Sequence, residues 1–298
     1  MPVVALLLVS AFWGVHPVVG KVVEHQLQPL SLTVWRYTLC AVCYLPFVGR
    51  VRHWHRLSRK SWGTLTFVAL CWAVLYPLFY YQALTSVPPV ECLLIVNTSP
   101  LMAAALAWLF LKERLARRTW MGIFVSFVGV AVLVMSQWEG SRNLGGLAFG
   151  VLAALAFAIY TLTSRLLFQT LPLLDVMLFT SLAGCGMLWA YAGIVGQAHT
   201  AALAIVSLSP GGWLQLLYIV VLVSAVAYVL YGYGLRKLPA GISSAVSFYP
   251  EVLFTALAQW LWLGRVPGAM TLVSALFILG GTALITIRRR EIPEIVGG

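Results

Sequence analysis

The sequence is short of charge and shorter still of acid: eight Asp and Glu residues stand against nineteen Lys and Arg in 298 positions, and both signs together make up 9%. Soluble domains carry roughly a quarter charged residues, so this composition cannot cover a water-facing surface. No polar stretch is long enough to form a separate soluble domain. A Walker A motif is absent, which argues against nucleotide hydrolysis within the chain. Neither H-E-x-x-H nor G-x-S-x-G occurs, so an intramembrane enzyme has no recognisable metal or nucleophile arrangement to work with. The first apolar run has no basic leader and no A-x-A-like cleavage site, and it is expected to stay as a helix. The five cysteines, Cys40, Cys43, Cys71, Cys92 and Cys185, lie in apolar segments. The one C-x-x-C, Cys40 and Cys43, has no second pair to complete a metal site and reads as two small packing residues. No metal and no cofactor is expected.

What is abundant is apolar length. Hydrophobic residues make up 61% and mean hydropathy is +0.94. Runs near twenty residues recur from end to end, and each is about enough to cross a hydrocarbon core of roughly 30 Å as a helix. Backbone groups in lipid must pair within helices or closed barrels, and unbroken apolar runs select helices. The expected class is an all-α membrane protein with ten transmembrane helices near 3–23, 29–49, 62–83, 89–111, 117–136, 144–168, 172–196, 212–235, 239–263 and 268–287. The apolar stretch inside 197–211 is expected along the interface. A net charge of +11 would suggest nucleic acid for a soluble chain, but here the cations fall in short loops and set orientation instead. With the N-terminus cytoplasmic, fifteen Lys and Arg residues, from Arg50 to Arg290, lie on one side, and Lys21, Arg142 and Arg265 on the other, with Arg36 set aside as intramembrane. Both termini are then cytoplasmic, in a multi-pass protein of the cell (inner) membrane.

The chain also repeats itself. TSVPPVECLLIVNTSPLMAAALAWLFLKER in the first half is echoed by RKLPAGISSAVSFYPEVLFTALAQWLWLGR in the second. Pro89 precedes Pro100 by the interval that separates Pro239 from Pro250, and Gly129 and Gly281 recur in the helix after each segment. A five-helix unit, residues 1–140 and then 141–298, is read from this. Five is odd, so the second copy enters the membrane inverted, an arrangement frequent among secondary transporters. Proline at matched depths removes a backbone hydrogen bond in helices four and nine and leaves carbonyls available near the midplane. A cavity lined chiefly by helices one, three, four, six, eight and nine is expected.

These features resemble the EamA-type transporters of the drug/metabolite transporter superfamily over nearly the whole chain. The residues that carry the resemblance are Trp13-Gly14 in helix one, Pro29 and Arg36 in helix two, Ala83-Leu84, Pro100 and Lys112-Glu113-Arg114-Leu115 around helix four, and Gly122 and Gly129 in helix five. The second half departs from the pattern, with Gly264-Arg265 where a glutamate is usual, Phe157 where a tryptophan is common, and Pro250 two residues further from the following turn than Pro100. The resemblance implies an exporter of metabolites, amino acids or drugs, working by alternating access. A lipid flippase or a non-transporting membrane sensor subunit is the alternative, since fold does not fix function.

An ionisable side chain in a bilayer costs roughly 2.5–3.5 kcal/mol at a helix centre, so it marks a polar path or a partner. The candidates are His16, Arg36, Glu91 and Glu251, with Asp175 near the cytoplasmic end of helix seven. Glu251 lies mid-helix in a stripe with Ser244, Ser247, Thr255 and Gln259 at three- and four-residue spacing, which reads as a cavity wall. Its structural alternative is a carboxyl, protonated or paired with Arg36, that locks helices together. Glu91 after Pro88-Pro89 reads as an interfacial residue complementing a helix N-terminus. Arg36 is either a structural partner or a clamp for a substrate carboxylate. Trp13, His16, Arg36, Tyr80, Asn97, Tyr160, Ser247 and Glu251 form the expected substrate site, with Glu251 and His16 as the groups able to couple a proton. Tyr81, Tyr231 and Tyr233 read instead as interfacial anchors. The implied partners are a small-molecule substrate, the lipid bilayer and a proton, with no nucleic acid.

Overall fold

The structure, a computed structural model, describes residues 1–19, 21–50, 57–87, 92, 95–136, 143–264 and 266–286. Glu91, Pro88, Pro89, Arg142, Arg265 and the basic group Arg288 to Arg290 lie outside the described residues. Every regular element among the described residues is helical. Eight segments are long and apolar enough to cross a membrane: residues 2–19, 59–83, 117–135, 144–170, 173–194, 210–237, 240–263 and 269–286. The chain is a multi-pass membrane protein. Each of these segments overlaps an expected apolar run, and two shorter helices, Pro29–Tyr44 and Ser99–Leu111, lie within the expected stretches 29–49 and 89–111.

In chain order the α-helices are α1 (Pro2–Val19), α2 (Lys21–Gln26), α3 (Pro29–Tyr44), α4 (Arg59–Ala69), α5 (Tyr76–Leu84), α6 (Ser99–Leu111), α7 (Arg117–Met135), α8 (Leu144–Thr170), α9 (Leu173–Ile194), α10 (Ala198–Ala204), α11 (Pro210–Tyr218), α12 (Ala227–Lys237), α13 (Ala240–Phe248), α14 (Glu251–Leu263) and α15 (Ala269–Thr286). Local chemistry sets several starts. Ser58, Asn143 and Ser209 each accept a hydrogen bond from a backbone N–H three residues on, at 3.1, 2.9 and 3.1 Å, capping α4, α8 and α11. Pro29 opens α3, where the missing N–H costs nothing. The connection after α1 is itself helical as α2, and the 197–211 segment folds as α10, whose Ala201 carbonyl accepts from Trp35 Nε1 at 2.7 Å, followed by a 3₁₀ turn.

Two kinds of interruption recur. The first is a break. Asn97 and Thr98 form a turn before α6, and Tyr249 and Pro250 form one before α14. Both half-helices then run thirteen residues and end on a left-handed residue, Lys112 (φ 53°) and Gly264 (φ 64°). One interval separates Asn97 from Tyr249, Lys112 from Gly264 and Gly129 from Gly281, whereas the prolines are offset from it by two positions. The helix ends therefore keep register and the prolines do not: Pro100 is the second residue of α6, while Pro250 is the cap of α14. The second interruption is a π-helical stretch, Leu70–Leu75 between α4 and α5 and Ile219–Val226 between α11 and α12. Such widened turns leave carbonyls free of the usual ladder and are frequent at functional sites.

Small residues bring helices together. A Cβ on Gly122 would lie 2.7 Å from the Gly281 carbonyl oxygen, so α7 and α15 touch backbone to backbone. Ser126 and Ser274 seal that contact reciprocally, donating to Ile278 O at 3.3 Å and Gly129 O at 2.6 Å. Lipid supplies no hydrophobic drive between helices, so this close packing with hydroxyl bonds is the expected means of association.

Candidate functional site

A cavity of about 520 Å³ opens among α1, α3, α5, residues 96 and 97, α8, the π-stretch at 219–226 with α12, and the break between α13 and α14. That size suits a small organic ligand. Its mouth is marked by the exposed lining residues Pro17, Pro29 and Thr85, with half-buried Tyr81 beside them, at the ends of α1 and α5 and the start of α3. Its floor is aromatic. Trp13, Phe157, Tyr228 and Phe248 pack edge-on or tilted, with Trp13 centred 5.4 Å from both Tyr228 and Phe248 and Phe157 4.8 Å from Phe248. Such rings supply flat apolar walls in geometries favoured by their quadrupoles.

Most of the expected site residues meet here. Trp13, His16, Arg36, Tyr80, Asn97 and Glu251 all line the cavity. Asn97 belongs to the turn before α6 and Glu251 is the first residue of α14, so each comes from one of the two broken helices. The Glu251 carboxyl therefore sits at the positive end of a half-helix. Its neighbour in the stripe, Thr255, donates to Gly14 O of α1 at 2.7 Å, and the Gly14 Cα faces the Glu251 backbone with no room for a Cβ.

Several expectations need correction. Ser247 is fully buried but does not line the cavity, because the break at Tyr249 and Pro250 interrupts the stripe between it and Glu251. Tyr160 lies behind the floor, stacked on Trp72 and Tyr231 at 6.1 and 6.4 Å. Tyr231 is no interfacial anchor: it is fully buried and shares a 2.8 Å hydrogen bond with Thr161. Tyr81 lines the cavity rather than anchoring the rim alone. Arg36 and Glu251 form no ion pair; Arg36 instead donates from Nε to Ser224 Oγ at 2.7 Å. Helix α3 is a full wall of the cavity, which the six-helix expectation leaves out. Tyr37, Tyr76 and Tyr228 also line the cavity and Ser224 holds Arg36, none of them expected; Ser224, a hydroxyl alone within the apolar run 219–223 and 225–227, was the readable signal. Among the described residues no three His, Cys, Asp or Glu side chains gather as metal ligands.

The opposite end of the bundle is closed. Arg165 of α8 forms an ion pair with Glu113, which follows α6, and donates through Nη1 to Leu235 O at 2.8 Å and to Leu238 O. Glu113 Oε2 accepts from Ala240 N at 3.2 Å. The pair thereby satisfies carbonyls at the C-terminus of α12 and an N–H at the start of α13, groups that a tight helix-to-helix connection leaves without intrahelical partners. The cation meets the negative helix end and the anion the positive one.

Against known proteins, a model described as the EamA-like transporter family matches residues 1–135 and 144–287. A transporter of Archaeoglobus fulgidus, described as uncharacterized, is 24% identical over 96% of this chain and 97% of its own length. A protein of Streptantibioticus cattleyicolor described as a probable terminal-alkyne amino-acid exporter is 27% identical, over 88% and 86%. A solved crystal structure shares the fold, with a TM-score of 0.79 and 18% identity over 96% of each chain.

Proposed function

We propose that this chain, which belongs to the EamA-like transporter family, is a secondary transporter of the cell membrane that exports small zwitterionic metabolites of the amino-acid class by alternating access. The observation that carries the reading is the cavity itself: one cation, Arg36, and one carboxylate, Glu251, on separate elements and unpaired with each other, above an aromatic floor. A ligand with a carboxylate and an ammonium group answers both charges, and its side chain meets the rings. The amino-acid exporter among the relatives points the same way. His16 and Asn97 complete the wall, with Tyr80 nearer the mouth, and Glu251 and His16 are the groups placed to exchange protons.

An arrangement of ten helices as two inverted five-helix units supports this use. Its supports are the matched breaks and left-handed helix ends, a π-stretch in each half, the two-part match of the family model, and the pairing of α7 with α15. The first half also packs against the second as the second packs against the first: α1 contacts α12 and α14, and α8 contacts α5 and α6. The charge bias of the loops supports an orientation with the Arg165 end in the cytoplasm and the cavity mouth outside. A reporter fused after Gly298 is then cytosolic and one placed within 197–211 is external; the opposite pair of results overturns the orientation.

The functional test is counterflow of labelled amino acids in proteoliposomes, with phenylalanine as the first probe. Saturable exchange is expected. Absence of exchange for every amino acid tried, together with movement of labelled phospholipid, would replace the reading with a flippase.

A further inference from the structure

Three successive residues of the π-stretch receive hydrogen bonds from two other helices. Trp13 Nε1 of α1 donates to Val223 O at 3.0 Å, Arg36 Nε of α3 to Ser224 Oγ at 2.7 Å, and Tyr44 OH of α3 to Ala225 O at 2.6 Å. The Ser224 hydroxyl in turn donates to Ile219 O, five residues back, at 2.9 Å. In an α-helix a serine of this kind bonds the carbonyl four residues back. The five-residue reach is that of the widened turn, so the π-geometry and the orientation of this hydroxyl belong together.

The polarity of the contact follows. Ser224 has one hydrogen to donate and it is used on Ile219, so only lone pairs face Arg36. A guanidinium carries five N–H donors in a rigid planar fork. One is taken by Ser224, and among the described residues none of the other four meets a carboxylate or other acceptor. Holding Nε fixes the plane of the fork. The Nη edge is then the part available to a ligand in the cavity that Arg36 lines.

We propose that Ser224 is a positioning residue, held by the π-stretch, that fixes the Arg36 guanidinium for bidentate recognition of a substrate carboxylate. This rests on the reading of the cavity as a zwitterion site. An unheld arginine on a flexible stem loses rotamer freedom when it binds, whereas one already fixed by Ser224 does not, so the hydroxyl contributes to affinity without touching the ligand. The role of a merely structural serine would be felt equally by every ligand. A positioning role is felt only by ligands that bear a carboxylate.

The test compares phenylalanine with phenylalaninamide, binding each to the purified full-length protein in detergent by calorimetry, in mildly acidic buffer where both keep an ammonium group. In the wild type phenylalanine should bind more tightly. Ser224→Ala should lower that preference by about ten-fold, the scale of one hydrogen bond to a charged group, while the affinity for the amide stays within about two-fold. Ser224→Thr, which keeps the acceptor, should restore the preference. Should Ser224→Ala fail to fold, Ser224→Cys, close in size and a poor acceptor, gives the same readout. A wild type that prefers the carboxylate with variants that keep the preference would overturn the role of Ser224 alone. A wild type indifferent to the carboxylate would overturn the zwitterion reading and this inference with it.

Discussion

The two ends of the bundle use their charges in opposite ways. At the closed end Arg165 and Glu113 are paired with each other and with the backbone ends of α12 and α13. At the cavity Arg36 and Glu251 stand on different elements without an ion pair between them. A half-buried pair that also holds the backbone groups of two helix ends acts as a lock, because removing either partner leaves the other, and those backbone groups, without their contacts. Charges left with free valence act as a binding site. The same cost of placing an ion in the membrane is thus offset by protein at one end and, in the proposed cycle, by substrate at the other. For alternating access the lock must also be reversible, which an ion pair with polar backbone partners allows more readily than a plug of packed rings.

The largest effect is expected from breaking the lock. Arg165→Met leaves Glu113 without its cation and two helix-end carbonyls without a donor, and should cost about 1–3 kcal/mol, the range for leaving hydrogen-bonded polar groups without their partner. Thermal unfolding in detergent measures it. Removing both partners should cost less than the sum of the single changes, since neither charge is then stranded. A single variant as stable as the wild type, with unchanged counterflow, would show that the closed end does not depend on this pair.

Changes at the cavity should leave stability nearly intact and reduce binding. Arg36→Met is expected to weaken phenylalanine binding by about ten- to a hundred-fold, the scale of a charge-assisted bidentate contact, with a smaller effect on phenylalaninamide. Equal loss for both ligands would make Arg36 structural. Glu251→Gln should weaken binding of both ligands by about ten-fold at every pH, because both keep the ammonium group that it is proposed to meet. Retained binding, with counterflow intact but transport no longer driven by a pH gradient, would reassign Glu251 to carrying the proton. Unaltered binding, flux and pH response in a well-folded variant would remove it from the function.

The contrast between the ends was only partly legible in the sequence. The apolar runs, the charge bias and the spacing of prolines and glycines place the long helices, because in lipid each helix must satisfy its own backbone and little else competes. Trp13, His16, Arg36, Asn97 and Glu251 stood out because polar or ionisable groups at such depth need a reason. What the pattern does not show is which face a side chain takes once a helix is interrupted. Ser247 and Glu251 fall on one side of a continuous helix, and the break between them separates the two. Tyr231, with a terminal hydroxyl that suits an interface, is instead satisfied internally by Thr161. The Glu113 to Arg165 pair spans fifty-two positions, and nothing in either neighbourhood announces the other.

Ser247 marks the boundary of the cavity, and the smallest effect is expected there. Its hydroxyl is fully buried and finds no hydrogen-bond partner among the described residues, so it contributes desolvation cost without return. Replacing it with alanine removes that unsatisfied group and one small atom from a packed helix contact, two changes of opposite sign. Helix propensity favours alanine slightly as well. Ser247→Ala should therefore leave stability within about 0.5 kcal/mol of the wild type, on the neutral or stabilising side. Phenylalanine affinity and counterflow should also stay within about two-fold, because the side chain lies behind the wall that Phe248 and Glu251 present. A clear loss of binding at unchanged stability would mean that the hydroxyl reaches the substrate in another state of the cycle. The cavity would then extend toward the closed end as the lock opens, and α13 would move with it.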